Sequence, residues 1–120
     1  MAETISAASG QLELRLSETG QVVKQFAVPG VEGYVLGRSD NGSSYIPDID
    51  LAAYDALKHG ISRRHAAIVR LRDGIYIVDL GSVNGTFLED KRLQADKPYP
   101  LQLDSIIRLG SLNLALIKIK

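Results

Sequence analysis

The chain has 120 residues, a length that fits one compact domain with a hydrophobic core of its own. Its 14 Lys and Arg residues balance 14 Asp and Glu residues, which argues against a surface built as a whole to bind DNA or RNA, so any anion site must be local. The chain has no cysteine and 2 histidines, which excludes a thiolate zinc site and most imidazole sites, and we expect neither a metal nor a cofactor. Since no apolar run approaches about eighteen residues and the start has no cationic segment before an apolar one, we predict a cytoplasmic protein without a membrane segment.

The first half of the chain predicts short β-strands separated by turns. Apolar and polar residues alternate in residues 12–16, and the turn residues Glu18, Thr19 and Gly20 lead into a second strand at 22–26. A third strand, residues 34–36, places Gly37 and Arg38 at its end. Residues 39–47 form a loop before a very short strand at 49–51.

The rest of the chain carries almost no helical periodicity. Residues 52–60 are the only passage that could be helical, and they are interpreted as a structured loop because they would form only about two turns. No repeat or linker divides the sequence. We therefore predict a single domain over residues 11–120, preceded by a disordered tail at residues 1–10.

A β-hairpin is predicted over residues 65–80. Asp73-Gly74 is a two-residue turn signal, and it would pair Leu71 with Tyr76 and Val69 with Val78. The inward face would then carry Ala67, Val69, Leu71, Tyr76, Val78 and Leu80. The same alternation places His65 on the inward face, which favours a structural histidine over a ligand or a base.

Five cations and no acid lie between residues 58 and 72. Arg70 and Arg72 are explained as a solvated strand face. Ser62 and Arg63 precede the strand, where a hydroxyl, a guanidinium and free backbone N–H groups can converge on one point. This segment therefore indicates a local anion site.

Several short motifs follow one another in the order of a known family. Asn84-Gly85 alone is typical of an ordinary turn, but here it follows several other motifs in a fixed order. The ordered motifs are Gly37-Arg38, DIDL at 48–51, SRRHA at 62–66, DLGS at 79–82, NGTF at 84–87 and DSIIRLG at 104–110. Over about residues 12–119 the chain resembles the forkhead-associated (FHA) domain, a phosphothreonine-peptide reader.

The resemblance implies an all-β fold, an eleven-stranded β-sandwich of two sheets with recognition loops at one end. It implies a phosphothreonine-dependent interaction module for signalling, whose partner is a phosphorylated kinase substrate and which acts as a monomer without enzymatic activity. Phosphate binding falls to Arg38, Ser62 and Arg63, peptide-backbone binding to Asn84, and structural support of the loops to Gly37, His65, Gly85 and Thr86. Val83 departs from family members that carry a hydroxylated residue there, which removes one possible ligand contact.

Two alternatives stay open. A phosphate-independent interaction or self-association scaffold of the same fold would have no need for Arg38, Ser62 and Asn84 together. An enzyme could use Ser62 and His65 with Asp79 or Asp104, but the chain has no nucleophile-elbow pattern. A nucleic-acid role would need more aromatic residues among the cations than Tyr76.

Overall fold

A computed structural model describes residues 10–30, 32–72, 74–102 and 104–118. Of the predicted tail, only Gly10 falls in these ranges, so the prediction for residues 1–9 lies outside the described residues. The described residues form eleven strands, namely β1 (Gln11–Leu16), β2 (Val22–Ala27), β3 (Tyr34–Gly37), β4 (Ile49–Asp50), β5 (Arg64–Leu71), β6 (Gly74–Asp79), β7 (Thr86–Leu88), β8 (Lys91–Arg92), β9 (Tyr99–Pro100), β10 (Ile106–Leu109) and β11 (Leu112–Lys118).

The strands form two sheets. One has six strands in the order β2-β1-β11-β10-β7-β8, and the other has five in the order β4-β3-β5-β6-β9. Only β3 and β4 pair in parallel among the strand pairs of the described residues. This arrangement confirms the predicted eleven-stranded β-sandwich.

Among the residues that the structure describes, helical structure is confined to a single 3-10 turn. It spans Ala52–Tyr54, within the stretch that the sequence predicts to be a structured loop. No helix in the described part of the chain is long and apolar enough to span a bilayer.

The core lies between the two sheets and is made mainly of leucine and isoleucine side chains. Leu14 and Leu116 of the six-stranded sheet and Ile68 and Ile77 of the five-stranded sheet are fully buried. Alternate residues of each strand point inward because the side chains of a strand alternate between its two faces. Burying each such side chain stabilises the fold by about 1.5 to 3 kcal/mol, which holds the strand ends and the loops between them in place.

The predicted pairing of the β5–β6 hairpin is wrong, because each residue of β5 pairs two positions away from its predicted partner in β6. Leu71 pairs with Gly74 and Val69 with Tyr76, so the turn begins one residue earlier than predicted, at Arg72, whose φ is +55°. The other turn residue, Asp73, lies outside the described residues. This shift keeps the predicted inward residues on one face, but the opposite face is the buried one. The buried side chains of that face are Ala66, Ile68, Ile75, Ile77 and Asp79. Of the predicted inward residues, Ala67 alone is buried, Val69, Tyr76, Val78 and Leu80 are half-buried, and Leu71 is 40% exposed.

A β-bulge decides the orientation of His65. Leu36 pairs with Ala66 and Gly37 pairs with Arg64, so the pairing of β3 with β5 skips His65. An extra residue in one strand shifts the alternation of its side chains. His65 is fully buried for this reason, although it neighbours the inward-facing Ala66.

Candidate functional site

Four connections between strands meet at one end of the sandwich. They are the β3–β4, β4–β5 and β6–β7 loops and the β10–β11 turn. Backbone hydrogen bonds join them directly, since Arg38 N–H donates to Arg63 O at 3.2 Å, Gly110 N–H to Gly85 O at 3.0 Å and Ser111 N–H to His59 O at 2.9 Å. The sheets thus bring together segments that are far apart in the sequence.

Arg38 fastens the β3–β4 loop to the β4–β5 loop. Its Nε donates to Ile61 O at 2.7 Å, and its backbone N–H reaches Arg63 O, so Ser62 lies between the two carbonyls that Arg38 contacts. Gly37 is required here by space, because a Cβ at this position would collide with the backbone of Arg63. Asp50 holds the other side of the loop, accepting from Ser39 N–H at 3.0 Å.

Two arginines converge on one carboxylate. Asp40 Oδ2 lies 3.2 Å from Arg38 Nη1 and 3.7 Å from Arg63 Nε. The side chains of Arg38, Asp40 and Arg63 are 19%, 34% and 58% exposed. We call Arg38, Asp40, Ser62 and Arg63 the arginine cluster. Its geometry shows that an oxyanion fits between the two guanidinium groups within the domain itself.

Ser62 presents a hydroxyl group whose proton is free for a ligand. Its Oγ accepts a hydrogen bond from Val83 N–H at 3.2 Å, which ties the end of the β4–β5 loop to the β6–β7 loop. No described residue accepts the hydroxyl proton. A half-buried hydroxyl held in this way can donate to an anion beside Arg38 and Arg63.

His65 ties the same two loops together beneath the cluster. Its Nδ1 accepts Ser62 N–H at 3.0 Å, and its Nε2 lies 2.8 Å from Gly85 O. A carbonyl only accepts, so Nε2 carries the proton and Nδ1 is bare. Burial lowers the pKa of His65 below its ordinary value of 6.5, outweighing the bond to Gly85 and the attraction of Asp79, and keeps the ring neutral.

Asp79 is the centre of a buried hydrogen-bond network. Its Oδ1 accepts from Ser82 Oγ and Thr86 Oγ1, both at 2.6 Å, and its Oδ2 accepts Gly81 N–H at 3.1 Å. Ser82 Oγ in turn accepts Gly85 N–H at 3.0 Å. Burial raises the pKa of Asp79, but the hydrogen bonds from Ser82, Thr86 and the backbone outweigh it, and the pKa lies below its ordinary value of 3.8.

We call His65, Asp79, Ser82 and Thr86 the loop-anchoring network. Within the described residues, no buried side-chain nitrogen or oxygen lacks a hydrogen-bond partner. The sequence predicts a supporting role for His65 and Thr86 but not for Asp79 or Asp50. For Asp79, the signal in the sequence is an aspartate at the end of a strand followed within three residues by glycine and serine, a pattern in which the carboxylate accepts nearby backbone N–H groups.

Asn84 lies at the exposed rim of the site. Its Nδ2 donates to Gly60 O at 2.9 Å, which orients the carboxamide across the gap between the β6–β7 and β4–β5 loops. Gly60 has φ +75°, and a Cβ there would lie 2.5 Å from Asn84 Nδ2. The carboxamide oxygen of Asn84 is left to accept an N–H group from a ligand.

The hydrogen bonds of Ser62 and His65 do not form a catalytic triad. The ring of His65 contacts the backbone N–H of Ser62, and Ser62 Oγ is bonded to Val83 instead. Nε2 of His65 faces Gly85 O, so neither ring nitrogen is placed to accept the hydroxyl proton in this arrangement.

A cleft leads away from this site beyond Asn84. It measures about 380 Å³ and is lined by the β4–β5 loop at Lys58, His59 and Gly60, by Asn84, by Phe87 and Arg108 on the strands, and by the β10–β11 turn. A second cavity of about 280 Å³ lies behind the β1–β2 turn, beside Tyr54 and Asp55.

Comparisons with known proteins agree on one family. A family model of the FHA domain matches residues 34–110. The protein phosphatase 1 regulatory inhibitor subunit PPP1R8 homolog of Arabidopsis thaliana is 27% identical over 104 residues, which cover 86% of this chain and 26% of that protein. The chain thus spans about a quarter of the length of this curated relative.

Solved structures show the same fold. The FHA domain of the CT664 protein from Chlamydia trachomatis superposes with a TM-score of 0.67 and 25% identity, covering 92% of this chain and 100% of that one. Mycobacterium tuberculosis EmbR, solved in complex with a low-affinity phosphopeptide, gives a TM-score of 0.66 and 21% identity, covering 90% of this chain and 24% of that one.

Proposed function

The chain belongs to the FHA domain family, a family of phosphothreonine-peptide-binding modules, and on that premise we propose that its arginine cluster is the phosphate site. Arg38 and Arg63 bind the phosphate oxygens through their guanidinium groups, and Ser62 donates its hydroxyl. Asn84 accepts a backbone N–H of the peptide beside the phosphothreonine. Gly37, His65, Gly85 and Thr86 hold the loops that carry these groups.

The observation that carries this proposal is the position of Asp40 between the two arginines. One carboxylate oxygen already lies within 3.2 Å of Arg38 and 3.7 Å of Arg63. A phosphothreonine carries roughly 1.5 to 2 negative charges near neutral pH and three acceptor oxygens, so it competes well against a single carboxylate oxygen. The peptide's phosphate then replaces Asp40 as the anion between the guanidinium groups.

Rigid placement of these groups supports useful affinity from a small interface. Arg38 is fixed by Ile61 O and Ser62 by Val83 N–H and His65, so little order has to be gained on binding. We expect dissociation constants on the order of micromolar, which corresponds to about 8 kcal/mol.

A phosphate-independent contact is the second candidate, and exposed apolar side chains favour it. Ile46, Leu57 and Val83 are 71%, 74% and 81% exposed, and each lies on a different loop of the recognition end. Apolar side chains exposed together at one end of a domain are typical of a protein interface. On this hypothesis the loops bind a partner or a second copy without phosphate.

Further properties are proposals that accompany the first. The partner is a phosphorylated kinase substrate in a signalling process, and the domain acts as a cytoplasmic monomer by binding rather than by catalysis. The balanced charge of the chain supports a protein ligand over a nucleic acid.

The deciding experiment compares matched peptides. An oriented phosphothreonine library supplies the best sequence, and calorimetry then measures this peptide, its unphosphorylated twin and a version with aspartate in place of phosphothreonine. We expect binding of the first alone, because aspartate offers one charge and two planar oxygens to a site arranged for a tetrahedral dianion. Equal affinity for the two twins would favour the phosphate-independent candidate.

A further inference from the structure

The chain contains two Asn-Gly dipeptides, and both lie in loops of the recognition end. Asn41-Gly42 belongs to the β3–β4 loop and Asn84-Gly85 to the β6–β7 loop. In such a dipeptide the backbone nitrogen of the glycine can attack the side-chain carboxamide of the asparagine, because glycine carries no Cβ to obstruct the approach. Since the two dipeptides are chemically identical, the structure around each one decides whether it reacts.

The reaction needs water and no other reactant. The glycine N–H gives its proton to solvent, and its nitrogen forms a bond to Cγ of the asparagine. The bond between Cγ and Nδ2 then breaks, and this nitrogen takes up a proton and leaves as ammonia, so that a cyclic succinimide remains. Water opens the ring at one of its two carbonyls and gives aspartate or isoaspartate. A neutral carboxamide thereby becomes a carboxylate that is ionised at neutral pH.

Asn84-Gly85 is held in an unreactive arrangement. The carboxamide nitrogen of Asn84 donates to Gly60 O at 2.9 Å, which fixes this side chain across the two loops. The attacking atom, Gly85 N, donates its proton to Ser82 Oγ at 3.0 Å within the loop-anchoring network, and Gly85 is buried. Ring closure would break both bonds and leave a buried group without its partner, which is costly. The fold therefore protects Asn84.

Asn41-Gly42 is held by much weaker restraints. Both residues are exposed, and among the hydrogen bonds of the described residues none involves the carboxamide of Asn41. Gly42 N–H donates to Asp40 Oδ1 at 3.0 Å, in an exposed bond that water can replace. A Cβ built on Gly42 would lie 3.7 Å from that same oxygen and would meet no closer atom of the described residues beyond its chain neighbours. The space around the attacking nitrogen is therefore open.

A carboxylate at position 41 would stand beside the arginine cluster. The preceding residue, Asp40, already lies 3.2 Å from Arg38 Nη1 and 3.7 Å from Arg63 Nε. A charge on the next residue lies roughly one screening length from both guanidinium groups, which is about 10 Å at 0.1 M salt. This second negative charge would attract the two arginines and repel an incoming phosphate.

We propose that Asn41 deamidates spontaneously in the folded domain while Asn84 is protected, and that the carboxylate formed at position 41 weakens phosphopeptide binding. The first half depends only on the two loops, and the second half rests on the function proposed above. The recognition end thus carries a modification site that needs no enzyme and that acts on the phosphate through charge.

Ageing the purified domain tests the first half. Cleavage after lysine and arginine places Asn41 in the peptide 39–58 and Asn84 in the peptide 73–91, and neither peptide contains another asparagine. Mass spectrometry follows the gain in mass from carboxamide to acid, together with an assay for isoaspartate. At mildly alkaline pH we expect the first peptide alone to react in the folded domain, and both to react in denaturant. If Asn41 reacts no faster than Asn84 in the folded domain, the proposal is wrong.

Matched variants test the second half by calorimetry. Asn41→Asp carries the charge of the product and should bind a phosphopeptide about two- to fivefold more weakly than the fresh wild type, the range for exposed charge interactions. Asn41→Gln keeps a neutral carboxamide on a longer side chain that disfavours ring closure, so it should bind like the fresh wild type before and after ageing. Gln102→Glu is the control, because it makes the same exchange on an exposed residue before β10, at the opposite end of the sandwich.

The same measurements separate this inference from the proposed function. If position 41 becomes acidic but no form of the domain binds a phosphopeptide, the proposed function is wrong and the modification site stands. If fresh and aged wild type bind a phosphopeptide equally although position 41 has reacted, the proposed effect on binding is wrong.

Discussion

The arginine cluster and the loop-anchoring network lie at the same end of the sandwich but differ in how their polar groups are satisfied. Arg63 in the cluster is 58% exposed, and Asp40 is the only acid of the described residues that pairs with the cluster's two arginines. His65, Asp79 and Thr86 in the network are at most 4% exposed. His65 is hydrogen-bonded to Gly85 O, and Thr86 donates its hydroxyl to Asp79. The difference predicts that binding and stability depend on separate residues, since an exposed charge contributes little to folding whereas a buried polar group without partners is costly.

The largest expected effect is on the network. Asp79→Ala removes the acceptor of Ser82 Oγ, Thr86 Oγ1 and Gly81 N–H, and it should lower the free energy of unfolding by roughly 3 kcal/mol or more, because each stranded buried group costs about 1 to 3 kcal/mol. Denaturant unfolding measures the change. Asp79→Asn, which keeps the shape and one oxygen acceptor, should lose less; equal stability of Asp79→Ala and the wild type would remove the distinction between the two regions.

The next effect concerns binding alone. Arg38→Ala should weaken phosphopeptide binding by about 2 to 3 kcal/mol, the value of hydrogen bonds to charged groups, and should cost about 1 kcal/mol or less in stability. Arg38→Lys should not restore binding, because an ammonium group lacks the planar fork. Calorimetry and thermal melting are compared, with Arg70→Ala as the control. A large loss of stability with unchanged binding would place Arg38 in the scaffold.

His65→Ala should behave in the opposite way to Arg38→Ala. It strands Ser62 N–H and Gly85 O and should lower stability by roughly 1 to 3 kcal/mol. Thermal melting of the unliganded domain tests this. Wild-type melting combined with lost binding would show that His65 contacts the ligand and does not support the loops.

The neutral state of His65 gives its contribution a pH dependence. Its folded pKa lies below 6.5, so above that pH both the folded and the unfolded state are neutral and the contribution is complete. As pH falls below about 6.5, the unfolded chain takes up the proton first, and stability falls. The pH slope of unfolding between about 7 and 5 should therefore be shallower in His65→Gln than in the wild type.

Salt should separate Asn84 from Arg38. Asn84→Ala should weaken binding by about 1 to 3 kcal/mol through neutral hydrogen bonds, and this loss should hardly depend on ionic strength. The loss caused by Arg38→Ala should shrink with salt, since charges are screened over about 10 Å at 0.1 M. Titrations of all three proteins at two ionic strengths give the comparison. An Asn84 loss that shrinks as fast as the Arg38 loss would leave Asn84-Gly85 an ordinary turn.

The smallest expected effect is a gain. Asp40→Asn removes the carboxylate that occupies the position proposed for the phosphate, and it should strengthen phosphopeptide binding by about 0.5 to 1 kcal/mol, as for an exposed ion pair. Phosphopeptide titration of this variant measures the change. Weaker binding would show that Asp40 orients the two arginines and is not displaced by the phosphate.

The sequence by itself determined the fold class and the strands of the first two thirds of the chain. Alternation and turn residues place β1, β2 and β3 close to their observed bounds, and the ordered motifs identify the family, which the family match and the two sheets confirm. These features are local or depend only on the order of residues along the chain. For the same reason, Arg38, Ser62 and Arg63 of the arginine cluster could be named from the sequence, although their roles stay predictions, whereas Asp40 could not.

Only the tertiary structure decided which face of the β5–β6 hairpin is buried and how the polar groups pair. Both faces of β5 carry apolar residues, so alternation alone could not choose between Val69 and Ile68, and the packing of the opposite sheet chose Ile68. His65 faces inward because a bulge against β3 shifts it, and not because of the predicted register. Asp40 lies between Arg38 and Arg63, and Phe87 lies between Arg92 and Arg108. Both arrangements bring together segments that are apart in the sequence, because contacts across loops and sheets depend on where the whole fold places each strand.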